Sequence, residues 1–385
     1  KRLYEVFERI KKEDIYKGYY EGFYCDGCEA FLLESELENG LCPLHKKEPK
    51  FYREENYFFK LSNYQDEILK ILKGNFVYPE SRKNEMINFV KGGLKDISIS
   101  RPNLTWGIDF PLDKNHKVWV WFDALVNYLQ PLDYWPADLH LIGKDILRFH
   151  AVIWPAMLIS AGFQPPRKIF AHGYFTVNGQ KMSKTLGNVI DPIKMCEKYG
   201  EDPLRYYILR DIPFGEDGDF SEKSLIERTN NELVANYGNL FYRVTYFVEK
   251  NFGYVKRPDM LGEIEVSLIE KIKSTKTLVD KLIDDVKLTE ALGAIMDLSS
   301  EINKYFQQKE PWKKIRSENE EDRKDLDLTL YTSVNSIYSL SCLLYPFMPR
   351  TCESAVEALG RKVEWNFEEF KIEGKINSKI LFRKI

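Results

Sequence analysis

Apolar residues recur with the period of an amphipathic helix from about residue 221 to the end of the chain. This period places them on one face of each helix, as expected for helices packed around a core. The connections are short, which favours antiparallel neighbours. We predict a bundle with helices over 224–251, 266–286, 289–308, 328–349 and 352–359. The charged stretch 316–327 is predicted to be a solvated loop.

Short apolar runs alternate with helical patterns from about residue 117 to residue 175. The predicted strands and helices follow in the order strand 118–122, helix 124–132, strand 138–143, helix 147–162 and strand 168–175. This alternation predicts a parallel sheet, in which sites form at the carboxyl ends of the strands. The candidate positions are therefore Asp123, the Gly-Lys-Asp string at 143–145 and the His-Gly-Tyr string at 172–174.

The chain before this region has the character of an insertion module. It is rich in turn-forming residues up to about residue 60, and two amphipathic helices are then predicted over 62–75 and 81–94. Residues 1–20 have the pattern of an amphipathic helix entered partway, so we do not expect a natural beginning there.

Composition indicates a folded globular protein and leaves the class of partner open. The chain has 385 residues, of which 44% are hydrophobic and 14% aromatic. A formal net charge of -3 gives no overall basic field, so any nucleic-acid contact has to be a local patch. The most apolar region, 139–162, contains charged residues and histidine, which argues against a membrane span.

Three of the six cysteines lie close to a histidine, with the spacing Cys25-x2-Cys28 and Cys42-x2-His45. Two such pairs joined by a loop are typical of a tetrahedral zinc site, and four protein ligands indicate a structural site. The alternative, buried cysteines beside a surface histidine, fits the double spacing less well. The clustering also favours a reducing, cytoplasmic compartment over a disulfide framework.

A Gly-flanked string, GQKMSKT at 179–185, sets Lys181 and Lys184 three positions apart ahead of a helix. The helix is bounded by the cap signals Asp191, Pro192 and Gly200. Two ammonium groups on a mobile loop are able to converge on one anionic group, as phosphoryl or nucleotidyl transfer requires. A solvated basic loop is the competing interpretation, and composition alone favours it.

One set of side chains from the predicted strand and helices is a candidate for an apolar pocket. Its members are Trp121, Tyr128, Phe149, His150 and Ile153. Such a pocket suits a flexible thioether, because sulfur-aromatic contacts favour methionine over aliphatic competitors, although by modest amounts. Each of these residues taken alone is more readily explained as part of a core.

A second candidate is the turn that contains Gly143, Lys144 and Asp145. A carboxylate here is suited to accepting hydrogen bonds from ribose hydroxyls, while the glycine lets a nucleotide approach. The competing interpretation is an ordinary turn, because a string of three residues is not specific.

The first bundle helix carries a third candidate, because Asn236, Asn239 and Arg243 share one flank of it. Amide and guanidinium groups read base edges, and Trp312 is able to stack on an unpaired base. The competing interpretation is a solvated helix flank and a half-buried tryptophan, which the residues alone favour.

The string Lys-Met-Ser-Lys-Thr at 181–185 resembles the second signature of class I aminoacyl-tRNA synthetases, which ends in Ser. The knuckle, VWVWFDALVNY, HLIGKDILRFHAVIWPAML, AHGYFTVNGQKMSKT and a bundle with KEPW follow in the order of bacterial methionyl-tRNA synthetases. The resemblance covers essentially the whole chain. It implies an α/β fold: part of a doubly wound Rossmann-type catalytic domain with a zinc-knuckle insertion, followed by an all-α anticodon-binding bundle.

The resemblance also implies domains and residue roles. The domains are a connective-peptide insertion at 1–115 with its knuckle at 25–45, the second half of the Rossmann domain at 116–165, the lysine loop and a linking subdomain at 166–225, and the anticodon-binding domain at 226–385. Methionine binding falls to Trp121, Tyr128, Phe149, His150 and Ile153. ATP binding falls to Gly143, Asp145, Lys181, Met182, Ser183 and Lys184, of which the two lysines are catalytic. The CAU anticodon is read by Asn239, Arg243 and Trp312, and Cys25, Cys28, Cys42 and His45 hold Zn²⁺.

By resemblance, the expected activity is methionine-tRNA ligation, with methionine, Mg²⁺-bound ATP and tRNA(Met), including the initiator, as partners. The family's first signature, His-Ile-Gly-His-like, does not surround any of the five histidines. We therefore expect that half of the sheet on an upstream segment or a partner chain, and we expect these residues alone not to activate methionine.

Two alternatives remain open. Class I synthetases for leucine, isoleucine, valine or cysteine share the lysine loop, but the combination of Trp121, Tyr128 and His150 and the absence of a large editing insertion disfavour them. A noncatalytic tRNA-binding protein derived from a class I synthetase would keep the bundle and the knuckle, although it would have no use for the lysine loop.

Overall fold

A computed structural model describes residues 1–27, 30–32, 37–102, 104–130, 132–182, 187–366 and 372–385. The chain forms two compact units, Lys1–His172 and Gly173–Ile385. No helix in these described ranges combines the length and apolarity that crossing a membrane requires.

The first unit contains five helices and ten short or long strands within its described residues. Its strands are β1 Ile15–Cys25, β2 Ala30–Leu32, β3 Lys50–Phe59, β4 Val77–Tyr78, β5 Ile97–Ser98, β6 Ser100–Pro102, β7 Asp109–Phe110, β8 Asp113–Val118, β9 His140–Gly143 and β10 Ile169–His172. Its helices are α1 Arg2–Arg9, α2 Gln65–Lys73, α3 Glu80–Lys91, α4 Val120–Val126 and α5 Trp154–Ser160.

A long antiparallel hairpin of β1 and β3 dominates the start of this unit, in a sheet with the order β2-β1-β3-β5. Cross-strand pairs stabilise it, including an ion pair of 2.8 Å between Glu21 and Arg53 and the edge-on rings of Phe23 and Phe51. The prediction of a turn-rich segment up to residue 60 is therefore wrong for both strands. The initial helix is confirmed, but it ends at Arg9 rather than continuing to residue 20.

The predicted parallel sheet is confirmed, with the order β4-β10-β9. Its carboxyl edge pairs Gly143 with His172, so two of the three expected site positions lie at the predicted edge. The predicted strand 118–122 is wrong, because α4 begins at Val120, and Asp123 lies inside this helix. An apolar run that lacks clear alternation does not by itself separate a buried strand from a buried helix.

Two other predictions in this region need adjustment. The predicted helix 147–162 is confirmed, with π-helical turns over Phe149–Ile153 ahead of α5. The predicted strand 168–175 is divided, since β10 ends at His172 and a separate strand of the second unit begins at Phe175.

The second unit begins with a small sheet and continues as helices. Its strands are β11 Phe175–Val177, β12 Gln180–Lys181, β13 Gly218–Asp219, β14 Tyr254–Val255 and β15 Gly374–Lys375. Its helices are α6 Pro192–Tyr199, α7 Glu201–Arg210, α8 Glu222–Arg228, α9 Asn239–Asn251, α10 Glu263–Asp284, α11 Leu288–Lys309, α12 Pro311–Lys314, α13 Glu320–Leu344 and α14 Pro349–Ala358.

The predicted helical bundle is confirmed, and its core draws buried apolar residues from α9, α10, α11, α13 and α14. The cap signals of α6 are also confirmed, because the Asp191 carboxylate accepts from the amide of Ile193 at 2.9 Å. The charged loop 316–327 is wrong from residue 320 onward: α13 begins at Glu320, after an Asn319 cap. Three acidic residues in its first turn favour that helix end.

Candidate functional site

The predicted zinc ligands that the structure describes lie together. Cys25 ends β1, and both it and Cys42 place Sγ 3.8 Å from Nδ1 of His45, with all three donor atoms within 4.8 Å of one another. Tetrahedral zinc separates bound sulfur and nitrogen by roughly 3.6 Å, so these donors fit that ion. Cys28, the fourth predicted ligand, lies outside the described residues.

Gly27 is required by the close approach of the His45 ring. A Cβ at position 27 would lie 2.7 Å from ring carbons of His45, too close for any real contact. The two cysteines are buried, while His45 is exposed. Sequence spacing predicted the three donors that lie together here, but it gave no signal for the glycine between Cys25 and Cys28.

The predicted methionine-binding residues form two ring pairs. Trp121 stacks on Phe149 with a centroid distance of 4.2 Å. The Tyr128 hydroxyl and His150 Nε2 are 2.9 Å apart, and His150 Nδ1 lies 2.9 Å from the carbonyl oxygen of Ile146. Because a carbonyl only accepts, Nδ1 carries the proton, and Tyr128 donates to Nε2. Ile153 is buried in the core of the unit.

Sequence reasoning missed His140, which lies beside this group. Its ring centroid is 4.3 Å from that of Tyr128, and its buried Nε2 has no hydrogen-bond partner among the described residues. Burial, helped by the nearby His150, lowers the pKa of His140 to about 4. Burial also lowers the pKa of His150, against the opposing effect of the Ile146 carbonyl. Both imidazoles are therefore neutral at pH 7.

This burial predicts a loss of stability in acid. An unfolded histidine has a pKa near 6.5, so between that value and about 4 the unfolded chain takes up a proton that folded His140 excludes. Stability is thus complete above pH 6.5 and decreases as the pH falls, by roughly 2 kcal/mol at pH 5 from this group. Urea unfolding of the first unit, followed by tryptophan fluorescence at pH 7.5 and 5, measures it. His140→Gln should lose this part of the pH dependence; an unchanged dependence would contradict the assignment.

The Gly143 turn brings its carboxylate back over the end of β9. A Cβ on Gly143 would lie 2.6 Å from Oδ1 of Asp145, so only glycine leaves room for the carboxylate in this position. Asp145 is exposed at the carboxyl edge of the parallel sheet. An exposed carboxylate there is available to accept hydroxyl hydrogen bonds.

Lys181 belongs to a hairpin strand rather than to a loop. It pairs with Thr176 across a turn at Asn178 and Gly179, both with positive φ. Asp219 accepts the amide of Gly179 at 2.9 Å and fixes this turn. The Lys181 ammonium is exposed and lies 5.0 Å from the ring centroid of Tyr174. Met182 follows the strand half-buried, whereas Ser183 and Lys184 lie outside the described residues.

The predicted base-reading residues of the bundle lie close together. The Arg243 guanidinium lies 5.9 Å from the ring centroid of Trp312 and 5.5 Å from that of Phe306, and it donates to Gln307 Oε1 at 2.9 Å. Asn239 is exposed one helical turn before Arg243. A cation, an amide and a half-buried indole thus share one surface.

Asn236 has a different role from its neighbours on that flank. Its amide nitrogen donates to the Met296 carbonyl at 3.2 Å, and its amide oxygen accepts from Ser299 and Asn303, each at 2.9 Å. These bonds join the π-helical turns Thr229–Gly238 to α11. The amide is therefore occupied by helix packing, and sequence periodicity had no means of separating it from Asn239.

Comparison with known proteins gives matches along most of the chain. Residues 19–245 match the family described as "tRNA synthetases class I (M)", and residues 255–378 match "Anticodon binding domain of methionyl tRNA ligase". The methionine-tRNA ligase of Thermotoga maritima is 44% identical over 371 residues, which cover 92% of this chain and 58% of the relative. That of Caldanaerobacter subterraneus subsp. tengcongensis is 42% identical with the same coverage.

A solved structure is similar over nearly the whole chain. Mycobacterium tuberculosis methionyl-tRNA synthetase bound by methionyl-adenylate gives a TM-score of 0.91 at 36% identity, covering 99% of this chain and 79% of that one. This chain spans 58% of the length of the two curated relatives above.

Proposed function

The chain belongs to the methionyl-tRNA synthetase family of class I aminoacyl-tRNA synthetases, and from this premise we propose that it functions in the ATP-dependent attachment of methionine to tRNA(Met). The family assignment confirms the resemblance and the predicted fold class. The observation that carries the function is the packing of Trp121 on Phe149 and the hydrogen bond of Tyr128 to His150, at positions that the resemblance assigns to methionine binding.

Methionine recognition follows from the chemistry of these pairs. The stacked rings of Trp121 and Phe149 offer aromatic faces and edges to a thioether, which supports the choice of methionine. A neutral His150 that already accepts from Tyr128 has no free donor at Nε2, and this suits an apolar side chain. Ile153 is buried in the adjoining core, and we also assign it a contact with the methionine side chain.

ATP binding and activation are assigned to the turn at Gly143 and Asp145 and to the lysine string. The methionine carboxylate attacks the α-phosphate of Mg²⁺-bound ATP and pyrophosphate leaves. Lys181 and Lys184 stabilise the charge that develops on the phosphates, and Met182 and Ser183 complete this string. A terminal adenosine hydroxyl of the tRNA then attacks the adenylate carbonyl, which forms the aminoacyl ester, and AMP leaves. These steps are proposed for a cytoplasmic enzyme.

A structural Zn²⁺ is assigned to Cys25, Cys28, Cys42 and His45. The convergence of the three described donor atoms supports it. When bound, the ion cross-links the end of the β1–β3 hairpin and keeps the insertion rigid.

Pyrophosphate exchange into ATP tests the proposal. It is measured for this chain and for a product extended upstream of Lys1, with methionine, leucine, isoleucine, valine and cysteine compared. Exchange that occurs with methionine and with none of the other four amino acids supports the function. If only the extended product supports exchange, residues outside this chain are required. Exchange with another amino acid overturns the specificity. Exchange with none, together with retained tRNA binding, favours a noncatalytic tRNA-binding protein.

The anticodon proposal predicts a loss of selective RNA binding in Arg243→Gln. The variant loses the cation that packs beside Phe306 and Trp312, so affinity for an RNA stem-loop with a CAU anticodon should fall by about 10-fold or more. Fluorescence anisotropy measures the Kd of that stem-loop and of one with a changed anticodon.

Lys250→Gln on the same helix is the matched control, since it also removes one positive charge beside an aromatic ring. It should lower the affinity for both RNAs slightly and equally. Equal losses in the two variants, or full CAU affinity in Arg243→Gln, would contradict the assignment of Arg243.

A further inference from the structure

The helix is interrupted by a turn just before Trp312. Glu310 separates α11 from α12 and adopts a left-handed conformation, with φ 44° and ψ 54°. The helix that carries Trp312 has four residues, too few to be stable without external contacts. The position of the indole therefore depends on what holds the two ends of this turn.

Both ends are held by one carboxylate. Lys309 is the last residue of α11 and Lys314 the last of α12, and their ammonium groups form ion pairs with different oxygens of Asp325 on α13. Asp325 thus closes a loop around Glu310, Pro311 and Trp312. Because a lysine on each side of the turn binds the same carboxylate, the two ends of the turn are held close to each other. A single ion pair would hold only one end.

The cluster extends from the partly exposed Asp325 inward to a carboxylate that is removed from water. Lys309 also lies 2.9 Å from Oε1 of Glu265, which is 2% exposed and accepts from the Tyr305 hydroxyl at 2.8 Å. Two carboxylates and two ammonium groups balance in charge. Although burial opposes it, the two lysines hold the pKa of Asp325 below its usual value. Neutralising Asp325 would leave Lys309 paired with Glu265 and remove the ion pair of Lys314, so the link between the two ends of the turn would be lost.

We propose that Asp325 is a positioning residue for anticodon recognition, which fixes Trp312 against Phe306 and Arg243 before RNA binds. This inference rests on the proposed role of Trp312 at the anticodon. The Trp312 ring lies edge-on to Phe306 with centroids 6.2 Å apart, and the Arg243 guanidinium contacts both rings. Holding the indole in place in the free protein reduces the entropy lost when a base stacks on it.

Asp325→Asn tests this role, because it keeps the shape and removes the charge. The Kd for the CAU stem-loop should rise by about 5- to 10-fold, while the Kd for a stem-loop with a changed anticodon stays within twofold. Asp325→Glu, which keeps the charge, should restore much of the difference in Kd between the two stem-loops. Fluorine NMR of protein labelled with 5-fluorotryptophan reports the indole directly: the Trp312 resonance, assigned with Trp312→Phe, should shift or broaden in Asp325→Asn.

Asp280→Asn is the matched control. Asp280 also pairs with a lysine, Lys276 at 2.7 Å, and accepts from a tryptophan, Trp365 at 2.9 Å. It lies about 22 Å from Glu265 along α10, at 1.5 Å per residue. This variant should bind both RNAs as the unmodified chain does. Lys314→Met, which removes one of the two ion pairs, should weaken CAU binding in the same direction as Asp325→Asn, and it serves if Asp325→Asn does not fold.

Three results would overturn the inference. One is unchanged discrimination with an unshifted Trp312 resonance in Asp325→Asn. Another is an equal loss of CAU affinity in Asp280→Asn, which would indicate a general effect on protein stability. The third is full CAU affinity in Lys314→Met, in the case where Asp325→Asn does not fold. Unchanged CAU affinity in Trp312→Ala would instead remove the anticodon proposal itself, whereas a loss there without one in Asp325→Asn removes only the role of Asp325.

Discussion

Lys181→Met is expected to lower kcat for methionine-dependent pyrophosphate exchange by about 100- to 1000-fold, the range for removing one preorganised charge that stabilises a transition state. KM for ATP should change much less, because the charge on the phosphates increases only as the bond to pyrophosphate breaks. The hairpin supports this expectation. Asp219 and Asn188 hold its backbone, while the lysine ammonium is exposed against Tyr174 and free to move towards a phosphate.

The measurement uses the form of the protein that supports exchange. Lys194→Met, an exposed lysine on α6, is the control for general charge loss and should keep its rate within about twofold. Lys181→Arg should recover part of the rate because it keeps the charge with a different shape. A normal kcat in Lys181→Met, or an equal loss in Lys194→Met, would remove the catalytic assignment of Lys181.

Cys42→Ser is expected to abolish zinc retention, from one ion per chain to a small residual fraction. The sulfur is completely buried, and it lies 3.8 Å from the His45 nitrogen, so its loss removes one of the three described donors. Because metal binding and folding are coupled, amide exchange should accelerate at the end of the hairpin and around residues 37–47. Elemental analysis and hydrogen exchange by mass spectrometry measure the two effects.

Cys196→Ser is the matched control, since this half-exposed cysteine on α6 is not among the clustered donors. It should keep its zinc. Gly27→Ala tests the geometry rather than the ligand set: its Cβ would push the His45 ring away, so a zinc chelator should remove the ion at lower concentration. Zinc-free purified protein, or full zinc in Cys42→Ser, would contradict the site.

Local pattern was sufficient for much of the fold because the signals are repeated many times. The long bundle helices each contain several turns of apolar periodicity, and the cap at Asp191 is a contact between neighbours in sequence. The ligand spacing of Cys25, Cys42 and His45 is likewise local. Where the signal was short or lacked alternation, as at 118–122, the prediction was wrong because a short apolar run without alternation is equally compatible with a strand and a helix.

The sequence by itself determined the series of bundle helices, the family resemblance, the spacing of the predicted zinc ligands and the lysine string, because each depends on residues near one another along the chain. Only the tertiary structure decided that Asn236 is occupied by α11, that His140 is neutral beside Tyr128, and that Asp325 joins Lys309 to Lys314. These outcomes depend on contacts between distant residues and on the exclusion of water from them. No local pattern encodes which carboxylate, imidazole or amide is left facing which partner once the core has closed.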